Sequence, residues 1–308
     1  MRIAVMGAGG VGGYFGGVLA RCDHEVVLIA RGEHLKTIQE QGLTVQSHHH
    51  GQFRVDVQAT ADPGEVGPVD LVLFTVKTYH NPKAVPLIRP MVGPRTSVLT
   101  LQNGVESHRD LLEGPGNGQV FTGAAYIESG VAAPGVIRQN GEVVRIVFGH
   151  PTGEGQESSK ELLEVFQKAG IEAEIVPDVM KALWSKFVFI VSLAGPTAAA
   201  RREMHQFLEL SEGRDLVMTV LREALSVGRA LGIALDDDLF DRTLSYMDGY
   251  ARDLHASMHT DLDRGNPLEL EALNGAVVRL GSEAGVATPF NQCIHALLKP
   301  YVGGTPDP

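Results

Sequence analysis

Residues 2–12 read RIAVMGAGGVG, a short β-branched run that closes on Gly7-x-Gly9-x-x-Gly12 and opens into an apolar segment of helical character. A strand that runs into three glycines at this spacing and then into a helix is the signature of a dinucleotide-binding βαβ unit. Gly7 permits the tight turn, Gly9 lets the backbone approach a pyrophosphate, and Gly12 lets the helix pack close to the strand, while the helix N-terminus attracts negative charge. Ala8, Gly10 and Val11, inside the same turn, are counted with the cofactor-binding residues. The glycine spacing alone would mark no more than a glycine-rich helix start; its place directly after a strand is what gives it force.

Outward from this turn, residues 1–176 alternate short β-branched runs with amphipathic segments, the pattern of βαβ units and a parallel sheet. IAVMG (3–7), VVLIA (26–30), DLVLFTV (70–76) and SVLTLQ (97–102) are nearly continuous in hydrophobicity, as strands covered on both faces are. FTGAAYIES (121–129), GVIRQ (135–139) and VVRIVFG (143–149) follow, separated by Pro134-Gly135 and Asn140-Gly141, which predicts antiparallel additions at the sheet edge. Beyond Pro177 the β pattern fades and helical periodicity covers 178–194, 211–231, 236–263, 267–284 and a shorter stretch after Pro289. Asp178 is the expected N-cap of the first of these helices and Gly195-Pro196 its stop. The expected fold is therefore α/β: a Rossmann-type doubly wound sheet with antiparallel additions over 1–176, and an all-α domain over 177–308.

Two domains also suit a chain of 308 residues, and 44% hydrophobic with 20% charged residues is ordinary for a protein with a substantial core. A net charge of -11 would repel a phosphate backbone, which argues against nucleic acid as a partner. Cys22 and Cys293 lie far apart without CxxC spacing and read as core thiols rather than a disulfide framework or zinc knuckle. The first strand begins directly after Met1-Arg2 with no h-region, and the longest apolar run, 187–195, is far short of the ~20 residues of a bilayer span. Cytoplasmic location and no membrane partner are the expectations. His48-His49-His50, between LTVQ (43–46) and QFRVDV (52–57), predicts a hairpin turn; three adjacent turn residues cannot readily converge on one metal ion.

NAD-binding proteins commonly carry an acidic residue ~20 positions beyond the first glycine, where it receives the ribose hydroxyls. Here the second strand ends in Ala30-Arg31. A carboxylate would repel a 2′-phosphate and a guanidinium can hold it bidentately, so Arg31 favours NADPH over NADH, unless it is simply a solvated arginine at a helix start. Lys77 follows a strand end at the ligand-binding edge, where a cofactor or substrate contact competes with a solvated strand-end lysine. Lys186 lies in the apolar stretch ALWSKFVFIV, where desolvation would lower its pKa and make it a better acid; the alternative is a lysine snorkelling from a core helix.

Taken together, the glycine turn with Arg31, Lys77 in FTVKTYH, Asn103 in LQNGVE, PGVIRQNG, Lys186 in ALWSKF, Ser257, LELEALNGAVVRLG and TPFN resemble the ketopantoate reductase (2-dehydropantoate 2-reductase) family over nearly the whole chain. The resemblance implies an N-terminal Rossmann domain, a helical C-terminal domain, an active site in the cleft between them, and a homodimer through the helical domain. It implies reduction of a 2-keto acid by NADPH, with Lys186 as the catalytic lysine ahead of its rival Lys181, because the Trp-x-Lys pattern selects it. By the same resemblance Glu269 contacts substrate and lysine, Ser257 helps bind the substrate carboxyl end, and Asn103 orients cofactor and substrate. Taken alone, Glu269 is a first-turn glutamate favoured by a helix dipole and Asn103 an Asn-Gly turn. Glu271 would point about 200° away around a helix and is the weaker partner.

The chain departs from the family at Ile190 and Ala194, where two asparagines usually bind the substrate's hydroxyl end, and at Leu268, where threonine is common. A pocket stripped of those partners suits a less hydroxylated 2-keto acid better. Three readings result: reduction of 2-dehydropantoate to pantoate, the same chemistry on another 2-keto acid, and a non-catalytic NADPH-binding sensor.

Overall fold

The computed structural model describes residues 1–22, 24–114, 118–153, 156–252 and 254–304, so the last four positions of the expected second domain lie outside the described residues. The chain divides into two compact units: Met1–Gln102 with Glu106–Ala182, and Asn103–Val105 with Leu183–Pro308.

The first unit opens with β1 (Arg2–Met6), α1 (Gly10–Ala20), β2 (Glu25–Ile29), α2 (Gly32–Gln41), β3 (Leu43–Ser47), β4 (Gly51–Val55) and β5 (Gln58–Thr60). It continues with β6 (Leu71–Phe74), α3 (Asn81–Leu87), β7 (Ser97–Thr100), α4 (Ser107–Glu113), β8 (Gln119–Ala133), β9 (Val136–Gly149), α5 (Gln156–Lys168) and β10 (Glu172–Ile175). The strands form one sheet in the order β4-β3-β9-β8-β7-β6-β1-β2-β5, with β10 also pairing with β9. From β5 to β8 all neighbours are parallel. Successive residues of β1 point to opposite faces. Ile3 and Val5 join a core with Tyr14, Phe15 and Leu19 of α1, while Ala4 and Met6 join one with Ala84, Val85 and Ile88. Two covered faces explain the unbroken apolar runs, each buried side chain of Leu or Phe size contributing about 1.5–3 kcal/mol.

The antiparallel additions are β9 on β8 and β4 on β3. FTGAAYIES departs from expectation: it lies in β8, which is parallel to β7. Asn140-Gly141 does not end a strand, because β9 runs through it; the irregularity is absorbed as a register shift opposite Tyr126–Glu128, with Gly141 at φ +73. Pro134-Gly135 is the two-residue turn between β8 and β9, Gly135 taking φ +70. His48–His50 form the turn between β3 and β4, and among the described residues no His, Cys, Asp and Glu cluster could hold a metal.

The second unit is helical. Its principal helix α6 (Val179–Ala200) is followed by α7 (Met204–Leu208), α8 (Ser211–Ala230), α9 (Leu239–Tyr250), α10 (Ser257–Asp263), α11 (Asn274–Glu283) and α12 (Pro289–Leu298). Asp178 caps α6 by accepting the Lys181 N–H at 2.9 Å. Gly195-Pro196 does not stop this helix. A mid-helix proline costs ~3 kcal/mol, but 191–198 are all buried, and Val191 and Leu193 alone offset it at about 1.5–3 kcal/mol each. With 22 residues α6 is long and apolar enough to cross a bilayer, yet 67% of its most apolar window is buried within the protein. The expected helix over 236–263 is two, α9 and α10, and that over 267–284 begins only at Asn274, after a 3-10 turn at Leu270–Ala272. Residues 268, 269 and 270 are buried in succession, which one face of an α-helix cannot present. Cys22 is half-buried and packs against the core of the first unit, whereas Cys293 is exposed, which corrects its reading as a core thiol: α12 buries Asn291, Ile294 and Leu298, and residue 293 falls on its outer face.

Candidate active site

In the first unit the chain leaves β1 for β2 on one side, and β6 lies on the other, so the carboxyl ends of β1 and β6 flank the point where ligands bind in open α/β sheets. Gly7 stands there at φ +104, with an added Cβ 2.8 Å from Val76 N. A Cβ on Gly12 would collide with the Gly7 carbonyl and Thr75 Oγ1, and one on Gly10 with the Ser129 carbonyl, whereas Gly9 faces open space. At the start of α1 the Gly13 N–H donates to Gly9 O at 2.7 Å, so the N–H groups of Gly10, Val11 and Gly12 are those a helix start leaves for an anion. The residues present thus fit a pyrophosphate: a cradle that side chains would fill, and amide donors at its mouth. Two residues that sequence inspection passed over support this loop. Thr75 Oγ1 donates to Gly7 O at 2.8 Å, and His34 Nε2 lies 2.8 Å from Ala8 O. Their partners are 68 and 26 positions away, so no local pattern reveals them.

Arg31 is exposed at the N-cap of α2 in extended backbone. Partial burial, then Arg31 and then Lys83, hold the His80 imidazole below its ordinary pKa. Lys77 is half-buried at the start of the turn after β6.

In the second unit Lys186 is half-buried on α6, and its Nζ donates to Asn103 Oδ1 at 3.0 Å. Burial lowers its pKa to about 8, opposed by the neighbouring Glu269 carboxylate. Glu269 is itself buried, 6% exposed, and stands just ahead of the 3-10 turn rather than in the first turn of a helix. Glu271 is engaged elsewhere, accepting from His295 and Lys299. Asn103 is set by its neighbours: Gln102 is buried and donates to the Val76 carbonyl at 2.7 Å, and Gly104, at φ +95, lies so close to Ala272 that a Cβ would stand 3.0 Å from its carbonyl. The Asn-Gly turn and the contact with Lys186 therefore coexist. Ile190, one turn beyond Lys186, is half-buried beside Phe189, whose ring packs 5.5 Å from that of Tyr246. Ala194 is buried at 3% exposure, and Ser257 is exposed at the first position of α10, sharing no hydrogen bond with Lys186, Asn103 or Glu269 among the described residues. Lys181 lies in the first turn of α6. The structure thus brings Lys186, Asn103 and Glu269 together: a lowered ammonium, its hydrogen-bond acceptor and its counter-charge. Such a group can deliver a proton near neutral pH.

Comparison with known proteins matches two consecutive family models, ketopantoate reductase PanE/ApbA over residues 3–153 and its C-terminal counterpart over 178–302. The chain belongs to the ketopantoate reductase family. With that family it is an oxidoreductase acting on CH–OH groups. The 2-dehydropantoate 2-reductase of Mesorhizobium japonicum is 32% identical over 327 residues, covering 97% of each chain. A ketopantoate reductase of Ralstonia eutropha superposes with a TM-score of 0.90 at 32% identity, covering 98% of both chains. A D-mandelate dehydrogenase solved with NADH and anilino(oxo)acetate superposes with a TM-score of 0.89 at 25% identity, again over 98% of both.

Proposed function

We propose that this ketopantoate reductase family member reduces a 2-oxo acid with NADPH, 2-dehydropantoate to pantoate being the leading reaction. The observation that carries the reading is the Lys186 ammonium, lowered by burial to about 8, bonded to Asn103 and faced by Glu269. NADPH, when bound, supplies the hydride for the carbonyl carbon. Lys186 holds the proton for the carbonyl oxygen at Nζ; Asn103 Oδ1 fixes the direction of that nitrogen, and Glu269 keeps enough of it protonated at neutral pH. Ser257 serves the carboxylate end of the substrate. The glycine turn with Lys77 holds the dinucleotide, and Arg31, within a positive field that includes Lys83, selects the 2′-phosphate.

A second reading, the same chemistry on a less hydroxylated 2-oxo acid, is favoured by what lies beside Lys186. The accessible strip of α6 carries Phe189 and Ile190, apolar side chains that offer no partner to a substrate hydroxyl. The resemblance to D-mandelate dehydrogenase points the same way. Steady-state NADPH oxidation across a panel of 2-oxo acids separates the two: the leading reading requires kcat/KM to be highest for 2-dehydropantoate, and a clearly higher value for an apolar acid selects the second. Under either reading Lys186→Ala lowers kcat by about 10²–10⁴-fold; unchanged turnover would remove the lysine from the chemistry.

A further inference from the structure

Three consecutive carbonyls at the glycine turn are taken up from behind. Met6 O accepts the Thr75 N–H at 2.9 Å, Gly7 O accepts Thr75 Oγ1 at 2.8 Å, and Ala8 O faces His34 Nε2 at 2.8 Å. Thr75 directly follows β6. His34 comes from the opposite side, three residues after Arg31 in the first turn of α2.

The other ring nitrogen of His34 is also used. Gly135 N–H donates to His34 Nδ1 at 3.0 Å. An amide N–H can only donate, so Nδ1 carries the lone pair and the proton of the neutral ring sits on Nε2, where it meets the Ala8 carbonyl. Burial holds the imidazole below its ordinary pKa against the effect of the Ala8 bond, and the positive end of the α2 dipole disfavours an imidazolium there as well. Gly135 is a firm anchor: its carbonyl accepts the Thr44 N–H at 2.9 Å, and a Cβ on it would stand 2.6 Å from Thr37 Cγ2 on α2. One neutral imidazole therefore ties together the turn after β1, the helix that begins at Arg31, and the β8–β9 turn.

We propose that His34 is a positioning residue for the dinucleotide: it takes up the Ala8 carbonyl, whose free lone pairs would repel a pyrophosphate, and couples the glycine turn to the helix that carries Arg31. This rests on the reading of the glycine turn as the dinucleotide site. The test measures Kd for NADPH and for NADH, together with Tm, on the wild-type protein, His34→Phe and His34→Gln. Phenylalanine keeps a ring and loses both hydrogen bonds; glutamine offers a donor and an acceptor on one planar group. In the phenylalanine variant both Kd values rise by about tenfold, that for NADPH at least as much as that for NADH, because the pyrophosphate is common to both nucleotides and Arg31 meets only the 2′-phosphate. The KM for the 2-oxo acid stays unchanged, and His34→Gln recovers most of the loss. A purely structural His34 would instead lower Tm and leave both Kd values alone, and that outcome overturns the proposal while sparing the cofactor reading. Wild-type protein that binds neither nucleotide overturns both. Should His34→Phe fail to fold, long-range 1H–15N spectra of the wild-type imidazole decide: an Nε2–H tautomer supports the proposal, and an Nδ1–H tautomer or a doubly protonated ring at neutral pH overturns it.

Discussion

Lys186 is subject to two opposed influences, burial that pushes its ammonium down to about 8 and the Glu269 carboxylate that pulls it up. A general acid works only while protonated, so kcat/KM for reduction should be level below about pH 8 and fall above it as Nζ loses its proton. Glu269→Gln removes the charge that favours the ammonium. The falling limb should then move to lower pH by about 1 unit, read from pH–rate profiles of the two proteins. A limb that stays in place would mean that another group titrates. Arg31 makes a separate prediction. If its guanidinium holds the 2′-phosphate, Arg31→Ala raises KM for NADPH by about 10-fold or more and leaves NADH nearly untouched; equal loss for both nucleotides would refute the role. Both residues were visible in the sequence as types in a context. The bond from Lys186 to Asn103 was not, because the two are 83 positions apart, and Glu269 was tied to the lysine only through the family resemblance.

The helices of the second unit show where tertiary packing overrides local signals. Gly195-Pro196 reads as a stop, yet α6 passes through it, and the glycine lets a buried amide approach: a Cβ there would lie 2.5 Å from Asn274 Nδ2. Asn274 in turn donates to Asn291 Oδ1 at 2.9 Å, and Asn291 donates through Nδ2 to Glu223 at 2.7 Å. The Glu223 carboxylate on α8 also accepts the N–H groups of Phe290 and Asn291, both at 2.9 Å, and so caps α12 from another helix. Gly195→Ala should cost about 1–3 kcal/mol by forcing α6 from Asn274. Glu223→Ala should cost about 2–4 kcal/mol, since it strands buried donors at a helix start. Urea denaturation measures both, and a Glu223→Ala midpoint equal to wild type would show that the cap contributes nothing. No local rule reveals this cap, since Glu223 and Asn291 are 68 positions apart.

At the level of the whole molecule the chain passes between the two units at Gln102–Asn103, Val105–Glu106 and Ala182–Leu183. A fragment cut at the change from strand to helix pattern, 178–308, therefore lacks Asn103–Val105, and with them the acceptor 3.0 Å from Lys186 Nζ. We expect this fragment to be less stable than the same unit in the intact chain by about 1–3 kcal/mol from that one lost partner, checked by thermal unfolding followed by far-UV circular dichroism. Addition of a synthetic LQNGVE peptide that restored stability would support the same point.

By itself the sequence determined the parallel strands, the glycine turn, the helical second half and the family, because these depend on short-range periodicity, on backbone freedom at Gly7, Gly9 and Gly12, and on residue types at fixed spacings. Only the tertiary structure decided that β8 runs parallel to β7, that α6 continues through Pro196, that Asn103 belongs with Lys186, and that His34 and Thr75 hold the glycine turn. The physical reason is common to all four: each rests on a hydrogen bond or a packed surface between residues distant in the chain, and such contacts leave no imprint on local periodicity.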